Sequence, residues 1–157
     1  MNRRSVFGIV TTSLVSAAIV MPAAAQNAKT VAGTYSPVKV EAFGDKPRGQ
    51  MILTPDGRYS IVLSRAEMPK VAAGARNKGT PEENKAVVDG SIGHTGRYTI
   101  DEGGKSITFH IETATFPNWN GTSQKRPLKM QGDTLTYTVL TPSTGGAAND
   151  VTWRRVK

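Results

Sequence analysis

No cysteine occurs in the 157 residues, which removes disulfide staples, thiolate metal sites and thiol nucleophiles together. Histidine is nearly as scarce: His94 and His110 are the only two. They lack the short spacing that sets two imidazoles on one face, so no metal centre is expected. There is no Gly-x-Ser-x-Gly elbow and no phosphate-cradling glycine loop ahead of a helix. Gly103-Gly104 joins two strands, so no dinucleotide fingerprint exists and no cofactor is expected. Aromatic residues make up 6% of the chain and the formal charge is +8, but the cations are scattered through turns. No basic run in the body of the chain is longer than Arg154-Arg155, a pattern without the footprint of a nucleic-acid partner. Repeats of solenoid period and low-complexity stretches are also missing.

The one extended apolar stretch lies at the start. Arg3 and Arg4 precede a run from Val6 to Val20, and Ala23-Ala24-Ala25 supplies a small-x-small cleavage pattern. Residues 1–25 are therefore read as a cleaved secretory signal, leaving 26–157 as one domain. The run is interrupted by Thr11, Thr12, Ser13 and Ser16 and falls short of the ~20 residues that span a bilayer, so the mature chain is expected to have no membrane span. An exported, cysteine-free domain of this size suits a bacterial periplasm or a secreted protein, held together by burial and sheet pairing alone.

What the remainder does have is alternation. Ile107, Phe109 and Ile111 fall on every second position between Ser106 and Thr113, with Ser106, Thr108, His110 and Glu112 on the other face, the period of a strand with one buried side. The same period recurs over 33–40, 50–54, 58–63, 96–100, 122–130, 134–140 and 150–156. Pro55-Asp56-Gly57 is a strong hairpin turn. Thr80-Pro81-Glu82-Glu83 combines an N-cap, a proline at the first helical position and a capping-box glutamate, which predicts a helix of about ten residues. The preceding residues 66–79, punctuated by Pro69, Gly74 and Gly79, read as a flap or lid between the third and fourth strands.

Eight strands joined mainly by short turns, with one short helix, predict an all-β, eight-stranded antiparallel up-and-down barrel, in which closure removes the unpaired edges. A two-sheet sandwich is the alternative. Gly33-Thr34-Tyr35 looks like the G-x-W opening of lipocalins with tyrosine for tryptophan, and Trp153-Arg154-Arg155 like the arginine-bearing last strand that packs across it. Together with Gly49, Leu53-Thr54-Pro55-Asp56-Gly57-Arg58-Tyr59-Ser60, Gly96-Arg97-Tyr98, His110, Pro117-Asn118-Trp119-Asn120-Gly121, Arg126 and Leu135, these residues make the chain similar to the small bacterial and fungal lipocalin-like domain family. The resemblance covers nearly all of the mature chain. It implies a calycin-type barrel with a cavity open at one end, closed elsewhere by Gly33, Tyr35, Trp153 and Arg155. Some members of that family isomerise or cyclise their substrates, and many only bind apolar molecules. Tyr35 and His94 depart from the family pattern.

The candidate ligand-binding residues are Tyr98, His110, Asn118, Trp119 and Arg126. If the polar face of the 106–113 strand lines the interior, His110 and Glu112 could form an acid–base pair; with the apolar face inward, His110 is a surface residue. Trp119 either clamps a ligand at the barrel mouth or closes the end as core. Arg126 either receives a bound carboxylate or, as a loop arginine, makes a structural ion pair with Glu112. Three functions are compatible: a carrier of a small apolar or amphipathic molecule, an isomerase or cyclase using His110, or an envelope protein with a filled barrel.

Overall fold

The first and last strands are zipped together. In a computed structural model that describes residues 27–157, β1 (Gly33–Val40) runs antiparallel to β8 (Asn149–Arg155), with Tyr35 opposite Arg155, Pro37 opposite Trp153 and Val40 opposite Val151. Between them come β2 (Arg48–Leu53), β3 (Arg58–Ser64), β4 (Ser91–Ile100), β5 (Ser106–Ala114), β6 (Ser123–Gln131) and β7 (Thr134–Val139). Each strand pairs with its sequence neighbours, and the sheet closes as a barrel, which rules out the sandwich. Pro37 is tolerated inside β1 because the register shifts between Pro37 and Lys39, a bulge where a missing N–H does no harm. The leader read over residues 1–25 lies outside the described residues.

The alternation points inward as its apolar side dictates. Ile107, Phe109 and Ile111 are buried, whereas Glu112 is exposed and pairs outside with Arg58 at 3.0 Å. Tyr35, Trp153, Tyr137, Phe109 and Met51 are among the largest fully buried side chains and fill the lumen. Rings within it meet edge to face, Phe109 with Tyr59 at 4.7 Å and with Tyr137 at 5.5 Å between centroids, an arrangement aromatic quadrupoles favour.

One end of the barrel is plugged by a one-turn helix that the alternation gave no sign of, α1 (Ala28–Val31), capped by Asn27. A helix this short can satisfy few of its own carbonyls, and the barrel supplies donors to them. Tyr35 Oη donates to Val31 O at 2.6 Å, Tyr98 Oη to Ala28 O at 3.0 Å, and the Arg155 guanidinium to Ala32 O and, at 2.9 Å, to Thr30 O. The guanidinium also lies over the Tyr35 ring, 5.0 Å from its centroid. Gly33 makes room for it, since a Cβ there would press on Arg155 Nη1. Tyr35 thus serves in the place of the tryptophan.

The excursion between β3 and β4 holds the expected helix, α2 (Pro81–Gly90), with Thr80 and Glu83 forming the capping box. No described helix is long and apolar enough to cross a membrane.

Candidate ligand-binding chamber

The other end of the barrel is open. There β4 begins five residues earlier than the alternation suggested, at Ser91, because Gly93-His94-Thr95-Gly96 has the composition of a turn yet forms ladder. A bulge between Thr95 and Gly96 accompanies it. At Gly96 a Cβ would collide with the His110 carbonyl oxygen, so only glycine allows β4 and β5 to approach so closely. The consequence is that His94, Gly96 and Tyr98 share the inward face.

His94 is 6% exposed. Its Nδ1 shares a hydrogen bond with Tyr59 Oη at 2.9 Å, and its ring meets Trp119 edge to face at 5.5 Å. Burial, seconded by the positive charge of Arg126, lowers its pKa to about 3, so His94 is a neutral hydrogen-bonding group at any ordinary pH. Burial likewise raises the phenol pKa values of Tyr59 and Tyr137.

Arg126 is the correction with the largest consequence. It is no loop residue: it sits within β6, where Gln124, Arg126, Leu128 and Met130 take the inward positions. It is 3% exposed. Its Nη2 donates to Gln124 Oε1 at 2.6 Å, and its guanidinium lies 5.1 Å from the Phe109 centroid and 4.9 Å from that of Tyr137. The ion pair with Glu112 does not form, because Glu112 points outward to Arg58 and Arg97.

His94, Arg126 and Tyr137 line a chamber of about 60 Å³ at the open end, together with Val40, Phe43, Ile92, Trp119 and Val139. At ~10–15 Å³ for one water centre, that volume holds a few waters rather than a ligand. Two wider hollows adjoin it. One of about 340 Å³ lies beside Phe43, Val88 and Phe116. The other, about 680 Å³, runs between Trp119, Arg126 and the β7–β8 loop, and shares Trp119, Arg126, Val139, Pro142 and Ser143 with the chamber. The wall over the chamber comes from Pro142, Ser143 and Thr144 of that loop. The 66–79 segment expected as a lid contributes no residue to the chamber or to either hollow; of the β3–β4 excursion only Val87, Val88 and Asp89 reach the rim.

A family model described as a lipocalin-like domain matches residues 25–156. The chain belongs to the lipocalin-like domain family. A similar protein is the 4'-hydroxy-3'-methoxypropiophenone carrier protein of Aspergillus oryzae, 25% identical over 87 residues, which span 50% of this chain and 78% of that protein. Within the lipocalin-like barrel, the five residues singled out from sequence separate into four places. Trp119, on a 3-10 turn over Pro117–Trp119, and Arg126 come together at the mouth. Tyr98 is at the plugged end, donating to Ala28 O and Thr54 O. Asn118 is exposed and lines the larger hollow only.

His110 stands on the outer face, bridging strands through Thr99 Oγ1 at 3.2 Å and Ser123 Oγ at 2.8 Å. It is a surface bridge, and the barrel wall separates it from any ligand in the lumen. Sequence reasoning missed His94, Tyr59 and Tyr137. Tyr98, Gly96 and His94 fall on successive second positions, as do Leu128 and Arg126, so the period-two signal was present for His94 and Arg126 alike.

Proposed function

We propose that this lipocalin-like protein is an exported carrier that holds a small apolar or amphipathic molecule at the open end of its barrel. The observation that carries this reading is the recess formed by the chamber and the 680 Å³ hollow continuous with it: aromatic and aliphatic walls from Phe43, Ile92, Trp119 and Val139 with two buried polar groups, His94 and Arg126, set among them. Apolar walls with a few fixed polar groups are the usual makeup of a small-molecule site. The carrier role named for the similar Aspergillus oryzae protein supports it, as does the leader-like composition of residues 1–25. An acid–base enzyme is the weaker reading, because His110 faces outward and His94, with a pKa of about 3, has little basicity to offer.

Trp119 reports directly on occupancy. Titrating the mature protein with neutral aromatic and aliphatic probes should change its tryptophan emission in a saturable way, and Trp119→Phe should abolish that change while Trp153 continues to emit. Uniform silence across the panel would leave a filled barrel and no carrier. Export is tested separately, by expressing the full chain in a bacterial host and finding by mass spectrometry whether a species beginning at Gln26 accumulates in the periplasm.

A further inference from the structure

We propose that the recess selects molecules bearing a carboxylate, and that Arg126 receives it; this rests on reading the recess as a ligand site. Taking a guanidinium out of water is costly unless an opposite charge meets it. Arg126 is 3% exposed, yet none of the ion pairs among the described residues includes it. Gln124 Oε1 offers a neutral acceptor and the Phe109 and Tyr137 rings offer their faces, which offsets only part of that cost.

The other polar groups nearby do not complete the pairing. His94, Tyr59 and Tyr137 are each held in the uncharged form by burial, and Glu112 belongs to the outer surface. The open end of the lumen therefore holds a buried cation whose counter-charge no described residue supplies. Arg126 borders both the inner chamber and the 680 Å³ hollow. A ligand can therefore set its headgroup against the guanidinium and leave its apolar body between Trp119, Val139 and Pro142. Arginine presents parallel N–H groups whose spacing matches the two oxygens of a carboxylate, which makes it selective for that headgroup over a neutral one.

The test uses a matched pair, trans-cinnamate and trans-cinnamyl alcohol, titrated calorimetrically into the mature protein. Wild type is expected to bind cinnamate about tenfold or more tightly than the alcohol. Arg126→Met should lose that preference, with the loss falling on cinnamate, and its free form should melt no lower than wild type, since an uncompensated buried charge has gone. Arg126→Lys, which keeps the charge and loses the fork, should retain part of the preference. Equal affinities in wild type, or a preference that survives Arg126→Met, would overturn the headgroup assignment and leave the carrier reading standing. Binding of neither probe would remove both.

Discussion

Arg155→Met tests the plugged end of the barrel. Arg155 donates to the carbonyls of Thr30 and Ala32 and covers the Tyr35 ring, so truncation removes the charged donor that these two carbonyls share at the end of a very short helix. Hydrogen bonds from a charged donor are worth about 1.5–3 kcal/mol each when fully buried. Arg155 retains 24% side-chain exposure, and water will satisfy part of what is lost. The cation–π contact adds about 0.5–1 kcal/mol. The expected loss is about 2–4 kcal/mol, or roughly 6–16 °C in Tm for a domain of this size. Thermal unfolding followed by circular dichroism measures it. Hydrogen exchange should show Val31 and Ala32, whose amides bond to Asn27 and Ala28 carbonyls, losing protection first. The adjacent, exposed Arg154 is the control, and Arg154→Met should change stability by less than about 0.5 kcal/mol. A variant Arg155→Met within about 1 kcal/mol of wild type would refute the view that this guanidinium latches α1 to the barrel.

His94 predicts a pH dependence. Its folded pKa of about 3 lies below the ordinary 6.5, so the unfolded chain takes up a proton that the folded chain refuses. The stability it contributes is full above pH 6.5 and falls by about 1.4 kcal/mol per unit as pH drops toward 3. Urea unfolding at pH 7.0, 5.5 and 4.5 should show that slope in wild type and a shallower one in His94→Gln; parallel slopes would count against it. Phe109→Ala should cost about 3–5 kcal/mol in the same assay, since Phe109 is fully buried and touches Tyr59, Tyr137 and Arg126. Gly33→Ala should destabilise wild type and cost less in the Arg155→Met background, because part of the cost is the clash with Arg155 while strain at the Gly33 φ of 153° remains in both. Additive losses in that double-mutant cycle would argue that the two sites act independently.

Much of the barrel was legible because its physics is local. A strand buried on one side writes its apolar residues at every second position, and Ile107, Phe109 and Ile111 do so without interruption. Pro55-Asp56-Gly57 and Thr80-Pro81-Glu82-Glu83 likewise carry their turn and cap in consecutive residues. The mistakes arose where local composition and tertiary context conflict. Gly93-His94-Thr95-Gly96 looks like a turn because it holds two glycines, but Gly96 is there to let β5 approach. Arg126 reads as a loop arginine paired with Glu112 because arginine is usually found outside a core, and a strand position that buries a charge defies the pattern used to find it. The 66–79 segment resembles a lid by composition, whereas the β1–β2, β5–β6 and β7–β8 loops are the ones that reach the chamber.

By itself the amino-acid sequence determined the strands, their turns, the helix cap and the side of each strand that would be apolar, since each depends on residues a few positions apart. Closure decided the rest. Which side chains face one another across the lumen follows from the β1–β8 pairing and the stagger of eight strands, and alternation along one strand carries no information about that. His94, Trp119 and Arg126 come from three separate elements, and only the closed barrel makes them neighbours and turns the nearest expected carboxylate, Glu112, to the outside.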